Sequence, residues 1–138
     1  MNVRLSHIAI ANPQISAVTN QLKALALEIE TTHDVAQEKV KAAMVKTEIS
    51  SHFRIELLEP LGDDSPISKF LEKRPAGGIH HLCFEVDQLD PWVKRLEEAQ
   101  MQVLPPGIRT GARGRVLFIH PKSFGGVLVE LEEIHTKS

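Results

Sequence analysis

The chain has 138 residues, a length that suits one compact domain, and its formal net charge is −2. It contains no long run of basic residues, so no nucleic-acid partner is expected. No apolar stretch is long enough to cross a membrane, and the single cysteine, Cys83, has no internal partner for a disulfide, so we expect a cytoplasmic protein without a membrane partner.

The first half of the chain predicts a strand, a helix and two further strands. An apolar segment at residues 5–11 predicts the first strand. Residues 14–27 predict a helix, because their apolar side chains recur on one face. Strands are predicted at 40–47 and 52–58, and the polar stretch around His33 predicts a turn.

The second half predicts a similar order of elements. A strand is predicted at residues 82–86. Asp90 followed by Pro91 predicts a helix that starts with an acidic cap and ends near Gln100. Three strands are predicted after this helix, at residues 101–104, 115–120 and 127–132.

The two halves match each other when the chain is shifted by 74 residues without a gap. His7 then lies over His81, and Glu56 lies over Glu130. Each half therefore starts with a strand that carries one histidine and ends with a strand that carries one glutamate. This match predicts an internal duplication.

A duplicated βαβββ unit predicts an α+β fold. Such a unit is too small to bury its own inner face, so two units in tandem are expected to form an incomplete barrel. We predict a single domain over residues 1–138, with modules at about 3–61 and 77–134. The linker, residues 62–76, contains a short helix that starts after Ser65.

The four matched residues predict a metal site inside this barrel. Two imidazoles and two carboxylates suit a divalent cation and leave positions open for water or substrate, which is typical of a catalytic metal. His81 matches His7 and is expected to point inward, whereas the neighbouring His80 faces the other way and is structural. His120, which follows a predicted strand, is a further candidate for ligand contact at the barrel mouth.

Three stretches resemble the methylmalonyl-CoA epimerase family of the vicinal oxygen chelate superfamily. They are ELLEPLGDDSPISKFLEK, AGGIHHLCFEVD and FIHPKSFGGVLVELEE, at residues 56–73, 76–87 and 118–133. The resemblance implies an isomerase that interconverts the R and S forms of methylmalonyl-CoA through a metal-stabilised enolate. It implies a divalent cation bound by His7, Glu56, His81 and Glu130, with cobalt favoured over manganese, nickel or zinc.

The resemblance also implies roles at the substrate. Glu130 is the candidate catalytic base as well as a metal ligand. An acyl-CoA carries phosphates, for which Lys122 and the glycine-rich loop at residues 111–114 with Arg113 and Arg115 are candidate partners. His120 remains a candidate for substrate contact at the barrel mouth. Because members of the superfamily often pair, a homodimer is expected.

Two other functions remain open at this point. The first is a glyoxalase I-type lactoylglutathione lyase or another metal-dependent isomerase or lyase of the superfamily. Against glyoxalase I, His120 and Pro121 stand where that enzyme usually has a DPDG-like turn. The second is a metal-free module that binds a small molecule, although all four ligand positions are filled here.

Overall fold

The structure, a computed structural model, describes residues 2–46, 53–111 and 113–134. The chain divides into two units. The amino-terminal unit comprises His7–His80, and the carboxy-terminal unit joins the residues before His7 to those after His80. No helix in the described ranges is long and apolar enough to cross a membrane.

In the amino-terminal unit one strand is followed by a helix and three strands. The elements are β1 (Val3–Ala11, which begins ahead of this unit), a 3-10 turn (Ile15–Val18), α1 (Thr19–Ala24), β2 (Glu28–Val35), β3 (Val40–Lys46), β4 (Arg54–Pro60) and α2 (Pro66–Lys73). The strand order is β2-β3-β4-β1. Strand β4 lies parallel to β1, and the other pairs are antiparallel.

The carboxy-terminal unit repeats this plan. Its elements are β5 (Gly78–Val86), α3 (Asp90–Glu98), β6 (Arg109–Thr110), β7 (Arg115–Ile119) and β8 (Leu128–Glu133). The strand order is β5-β8-β7-β6, with β8 parallel to β5 and the other pairs antiparallel. Each unit is therefore βαβββ and open at an edge strand, and the predicted α+β class is confirmed.

Two predictions in the first half are wrong. His33 lies in β2, not in a turn. This edge strand is mostly exposed and is held by backbone pairing with β3, so it lacks the apolar pattern that identifies a buried strand. The predicted helix 14–27 is a 3-10 turn followed by the short helix α1, and the chain reverses at Ala26, whose φ is +59°. The predicted strand limits Thr47 and His52 lie outside the described residues.

Two predictions in the second half also need correction. Instead of a strand at 101–104, Val103 forms a single bridge to Ile119, and the short strand β6 lies further on. The prolines that follow, at residues 105 and 106, have no backbone N–H and cannot extend a ladder. Asp90 is the first residue of α3 and not its cap, which is Leu89.

The duplication is visible in how the first helical segment of each unit begins. The backbone N–H of Ile15 donates to the carboxylate of Glu59 at 2.7 Å. The backbone N–H of Leu89 donates to the carboxylate of Glu133 at 2.8 Å. The two donors are 74 residues apart in the sequence, and so are the two acceptors. A glutamate at the end of β4 or β8 therefore binds the start of the helical segment in the same way in each unit.

Helix α3 covers one face of the carboxy-terminal sheet. The apolar core of this unit contains side chains that alternate along the strands and pack with α3, namely Phe84, Val86, Leu117, Ile119, Val129, Leu131, Leu89 and Leu96. Because neighbouring side chains on a strand point to opposite faces, the residues between them lie on the face away from α3. The predicted ligands His81 and Glu130 are on that opposite face.

Candidate functional site

In the carboxy-terminal unit the parallel strands β5 and β8 bring one predicted pair of ligands together. Cys83 lies opposite Glu130 and His81 lies opposite Leu128, so His81, Cys83 and Glu130 share a face. His81 Nε2 is 3.7 Å from Glu130 Oε1. Their side chains are 12% and 15% exposed, so the pair is largely shielded from water.

The amino-terminal unit has the same arrangement on β1 and β4. His7 lies opposite Arg54 and Ala9 lies opposite Glu56, so His7 and Glu56 share a face with the same two-residue stagger. Both side chains are partly buried. The four predicted ligands thus occur as two His–Glu pairs, one in each unit, on parallel strands in the same register.

Cys83 is a site residue that the sequence reasoning did not single out. Its thiol is fully buried, and its sulfur lies within 4.8 Å of a Glu130 carboxylate oxygen. Burial, followed by the charge of Glu130, raises the pKa of the Cys83 thiol. The thiol is therefore protonated and donates a hydrogen bond to Glu130. The residue displaced by 74 is Ala9, so the repeat itself gave no signal for this position.

A second pair of carboxylates extends this face of the carboxy-terminal unit. Glu85 lies opposite Glu132, one step beyond Cys83 and Glu130. Arg113 forms an ion pair with Glu132 at 2.5 Å, and Arg4 pairs with Glu85 at 2.9 Å. Although burial alone raises it, the pKa of Glu85 is lowered on balance, because Arg4 and Ser6 hydrogen bond to the carboxylate. Both carboxylates are therefore paired with an arginine.

Arg115, another predicted phosphate partner, links the start of α3 to the end of β8. Its guanidinium donates to Glu133 at 3.0 and 2.8 Å and to Asp90 at 2.7 Å. These contacts, led by the hydrogen bond to Glu133, raise the pKa of Arg115. Arg113 and Arg115 thus both form ion pairs within the protein. Their position in and beside a glycine-rich loop did not predict these ion pairs.

The turn after β7 carries His120 and Lys122. His120 Nδ1 accepts the backbone N–H of Lys122 at 3.0 Å, which fixes the imidazole at the start of a 3-10 turn over Pro121–Ser123. The Lys122 side chain is exposed and has no acidic partner within 4.0 Å among the described residues. Of the predicted phosphate partners, Lys122 is the one that forms no ion pair with the described residues.

His80 lies against the short helix α2 and not on the face of its neighbour His81. Its ring meets the Phe70 ring edge-on, with centroids 5.2 Å apart. Burial lowers the pKa of His80, so the imidazole is neutral at neutral pH. The position agrees with the structural role expected for His80.

Comparison with known proteins identifies relatives along nearly the whole chain. A family model described as the glyoxalase/bleomycin resistance protein/dioxygenase superfamily matches residues 6–118. An ethylmalonyl-CoA/methylmalonyl-CoA epimerase of Cereibacter sphaeroides is 45% identical over 134 residues, which are 95% of this chain and 98% of that protein. The mitochondrial methylmalonyl-CoA epimerase of Homo sapiens is 39% identical, over 94% of this chain and 73% of that protein.

Solved structures give the same result. The crystal structure of a methylmalonyl-CoA epimerase from Mycobacterium tuberculosis is similar with a TM-score of 0.79 and 30% identity, over 96% of this chain and 89% of that chain. A methylmalonyl-CoA epimerase in complex with methylmalonyl-CoA and NH4+ is similar with a TM-score of 0.77 and 30% identity, over 97% and 96% of the two chains.

Proposed function

Because the chain belongs to the glyoxalase/bleomycin resistance protein/dioxygenase superfamily and to its methylmalonyl-CoA epimerase family, we propose that it interconverts the R and S forms of methylmalonyl-CoA. The observation that carries the proposal is the likeness to a curated epimerase over nearly the full length of both chains. The reaction removes the proton on the carbon between the thioester and the carboxylate and delivers a proton to the opposite face of the enolate.

A divalent cation fits the donor set of this chain. Two atoms bound to one ion at about 2.0–2.2 Å lie at most about 4.4 Å apart. The 3.7 Å between His81 Nε2 and Glu130 Oε1 is compatible with that limit. We propose that His7, Glu56, His81 and Glu130 hold the ion, which when bound stabilises negative charge as a Lewis acid. Cobalt is the proposed metal, and manganese, nickel and zinc suit the same ligands.

Glu130 is the proposed base. Its carboxylate lies on the shared face beside His81, and the Cys83 thiol donates a hydrogen bond to it. These contacts restrict the carboxylate, and one of its oxygens is proposed to accept the proton from the substrate carbon. The surrounding face is largely buried, which strengthens the electrostatic interactions of the charged groups.

The other assignments stay predictions. Among the phosphate partners, Lys122 needs no rearrangement to meet an anion, whereas Arg113 and Arg115 would have to share their guanidinium groups with carboxylates they already bind. His120 stays a predicted substrate contact. A single vicinal oxygen chelate domain, a homodimer and a cytoplasmic location are likewise predicted. Sedimentation analysis of the purified protein tests the dimer.

The test of the function is exchange of the substrate proton. Cobalt-loaded protein in deuterated water is expected to incorporate deuterium into methylmalonyl-CoA, and the hemithioacetal of methylglyoxal and glutathione is expected to remain unconverted. Glu130→Gln should lower the exchange rate by at least about 100-fold, since general base catalysis contributes factors of this order. Glu97→Gln, which changes an exposed glutamate on α3, is the matched control and should exchange normally.

Metal dependence is tested separately by measuring bound metal. Dialysed wild-type protein should take up one cobalt per chain, and His81→Ala should take up far less. Absence of exchange by the metal-loaded wild type would overturn the proposed reaction. Exchange that persists at full rate after complete removal of metal would overturn the proposed metal dependence alone.

A further inference from the structure

Arg109 lies on the same face as the proposed catalytic residues. In the antiparallel pair β6–β7, Arg109 lies opposite Val116. In the pair β7–β8, Val116 lies opposite Glu132 and Phe118 lies opposite Glu130. Because paired residues on adjacent strands point the same way, Arg109, Phe118 and Glu130 all lie on the face away from α3.

The guanidinium of Arg109 is held by an aromatic ring and by no acidic group. Its central carbon is 4.7 Å from the centroid of the Phe118 ring. Among the described residues it makes no hydrogen bond and no ion pair. Three other arginines of the same unit, Arg4, Arg113 and Arg115, are all paired with carboxylates.

Stacking of this kind leaves a guanidinium ready to bind an anion. A contact with the face of a ring positions the guanidinium and occupies none of its N–H donors. A planar fork of donors matches a carboxylate, with two parallel hydrogen bonds. The ring that supports Arg109 belongs to Phe118, the direct cross-strand neighbour of Glu130.

We propose that Arg109 binds the free carboxylate of the acyl-CoA substrate and so selects acyl groups of the malonyl type. The inference rests on the proposed function. Strands β6 and β8 are separated by β7, so their backbones lie about 10 Å apart. The long side chain of Arg109 extends over Phe118 toward β8 and covers most of this distance. The carboxylate is attached to the carbon that loses its proton to Glu130. The phosphates of CoA, by contrast, lie at the far end of the pantetheine arm.

The test compares two ligands that differ only in this carboxylate. Methylmalonyl-CoA and propionyl-CoA carry the same phosphates, and their dissociation constants can be measured by calorimetry on cobalt-loaded protein. Arg109→Gln should weaken binding of methylmalonyl-CoA by about 10- to 100-fold, the range for a hydrogen bond to a charged group. Binding of propionyl-CoA should change by less than about twofold. Arg109→Lys, which keeps the charge but not the fork, should fall between the two.

The matched control is Arg95→Gln. Arg95 also stacks on an aromatic ring, 5.8 Å from the centroid of Trp92, but it belongs to α3. It should leave both dissociation constants unchanged. Equal weakening of both ligands by Arg109→Gln would assign Arg109 to a phosphate and overturn the proposal, as would no weakening of either. Wild-type protein that binds methylmalonyl-CoA without exchanging its proton would contradict the proposed reaction, whereas the Arg109 comparison would still be decided by binding.

Discussion

Glu59 and Glu133 make equivalent contacts in the two units, so the contribution of such a carboxylate to the free energy of unfolding can be measured in each. In each unit the carboxylate accepts the backbone N–H that starts the first helical segment, at 2.7 Å from Ile15 and at 2.8 Å from Leu89. Only Glu133 has a cation as well, since it also binds Arg115. The difference between the two truncations therefore reports the ion pair together with the deeper burial of the Leu89 N–H.

The magnitudes follow from burial. Leu89 is fully buried, so Glu133→Ala leaves its N–H without an acceptor, at a cost of about 1–3 kcal/mol. The Arg115 pair adds about 1 kcal/mol at most, because the guanidinium is 42% exposed and keeps Asp90 as a partner. We expect Glu133→Ala to lower the free energy of unfolding by about 1–4 kcal/mol and Glu59→Ala by about 1–3 kcal/mol, with the Glu133 loss the larger of the two.

Urea denaturation followed by circular dichroism measures both values under identical conditions. Glu133→Gln is the informative third variant, because its amide oxygen still accepts the Leu89 N–H while the charge is lost. It should cost about 1 kcal/mol, less than the alanine variant. The reasoning is refuted if the glutamine variant is as unstable as the alanine variant, or if Glu59→Ala is the more damaging of the two truncations.

Three further outcomes are expected. Ala26 and Gln100, displaced by 74 residues, have φ near +60° after their helices, so glycine at either should raise the free energy of unfolding measured by urea denaturation by about 0.5–1 kcal/mol; a lower value would contradict backbone strain at these positions. Gly77→Ala should lower the melting temperature far more than Gly107→Ala, since both have φ near +90° but a Cβ at Gly77 would lie 2.3 Å from a carbonyl oxygen; equal losses would exclude the clash. The lowered pKa of Glu85 stabilises the folded protein at pH values above the ordinary pKa of 4.5, and this stabilisation is lost as the pH falls below 4.5. The urea midpoint of Glu85→Gln should therefore decline less between pH 5 and about 3 than the urea midpoint of the wild type. Parallel curves for the two proteins would refute this.

The sequence predicted what duplication imposes on the chain. Two copies of one unit carry the same strand order, so matching His7 with His81 and Glu56 with Glu130 predicted equivalent positions for the two His–Glu pairs. The structure adds that each pair lies on parallel strands with a common stagger. The strand at β2 was missed because an exposed edge strand has no buried face and therefore no apolar alternation. Its backbone hydrogen bonds to β3 determine its structure, and these are not visible in composition.

Side-chain partners were the least predictable part of the site. Arg113 and Arg115 lie near glycines in the sequence, and that context predicted a loop open to phosphates. Their partners Glu132 and Glu133 are about 20 residues away and meet them only because β7 and β8 pair. Arg109 lacks such a partner for the converse reason, since the residue that faces it from β7 is Val116.

The two units diverge where their faces are covered differently. In the amino-terminal unit, Ala9, Ala11 and Leu58 pack with α2 in one apolar cluster, so small and apolar side chains are favoured there. The positions displaced by 74 are Cys83, Glu85 and Glu132, and in the carboxy-terminal unit both of these glutamates pair with arginines. Within residues 2–46, 53–111 and 113–134 the linker helix α2 has no second copy, and it packs on this face in the amino-terminal unit. A duplicated backbone thus kept its histidines and glutamates at one common stagger, while the rest of the face in the second copy carries paired glutamates, a buried thiol and a stacked arginine.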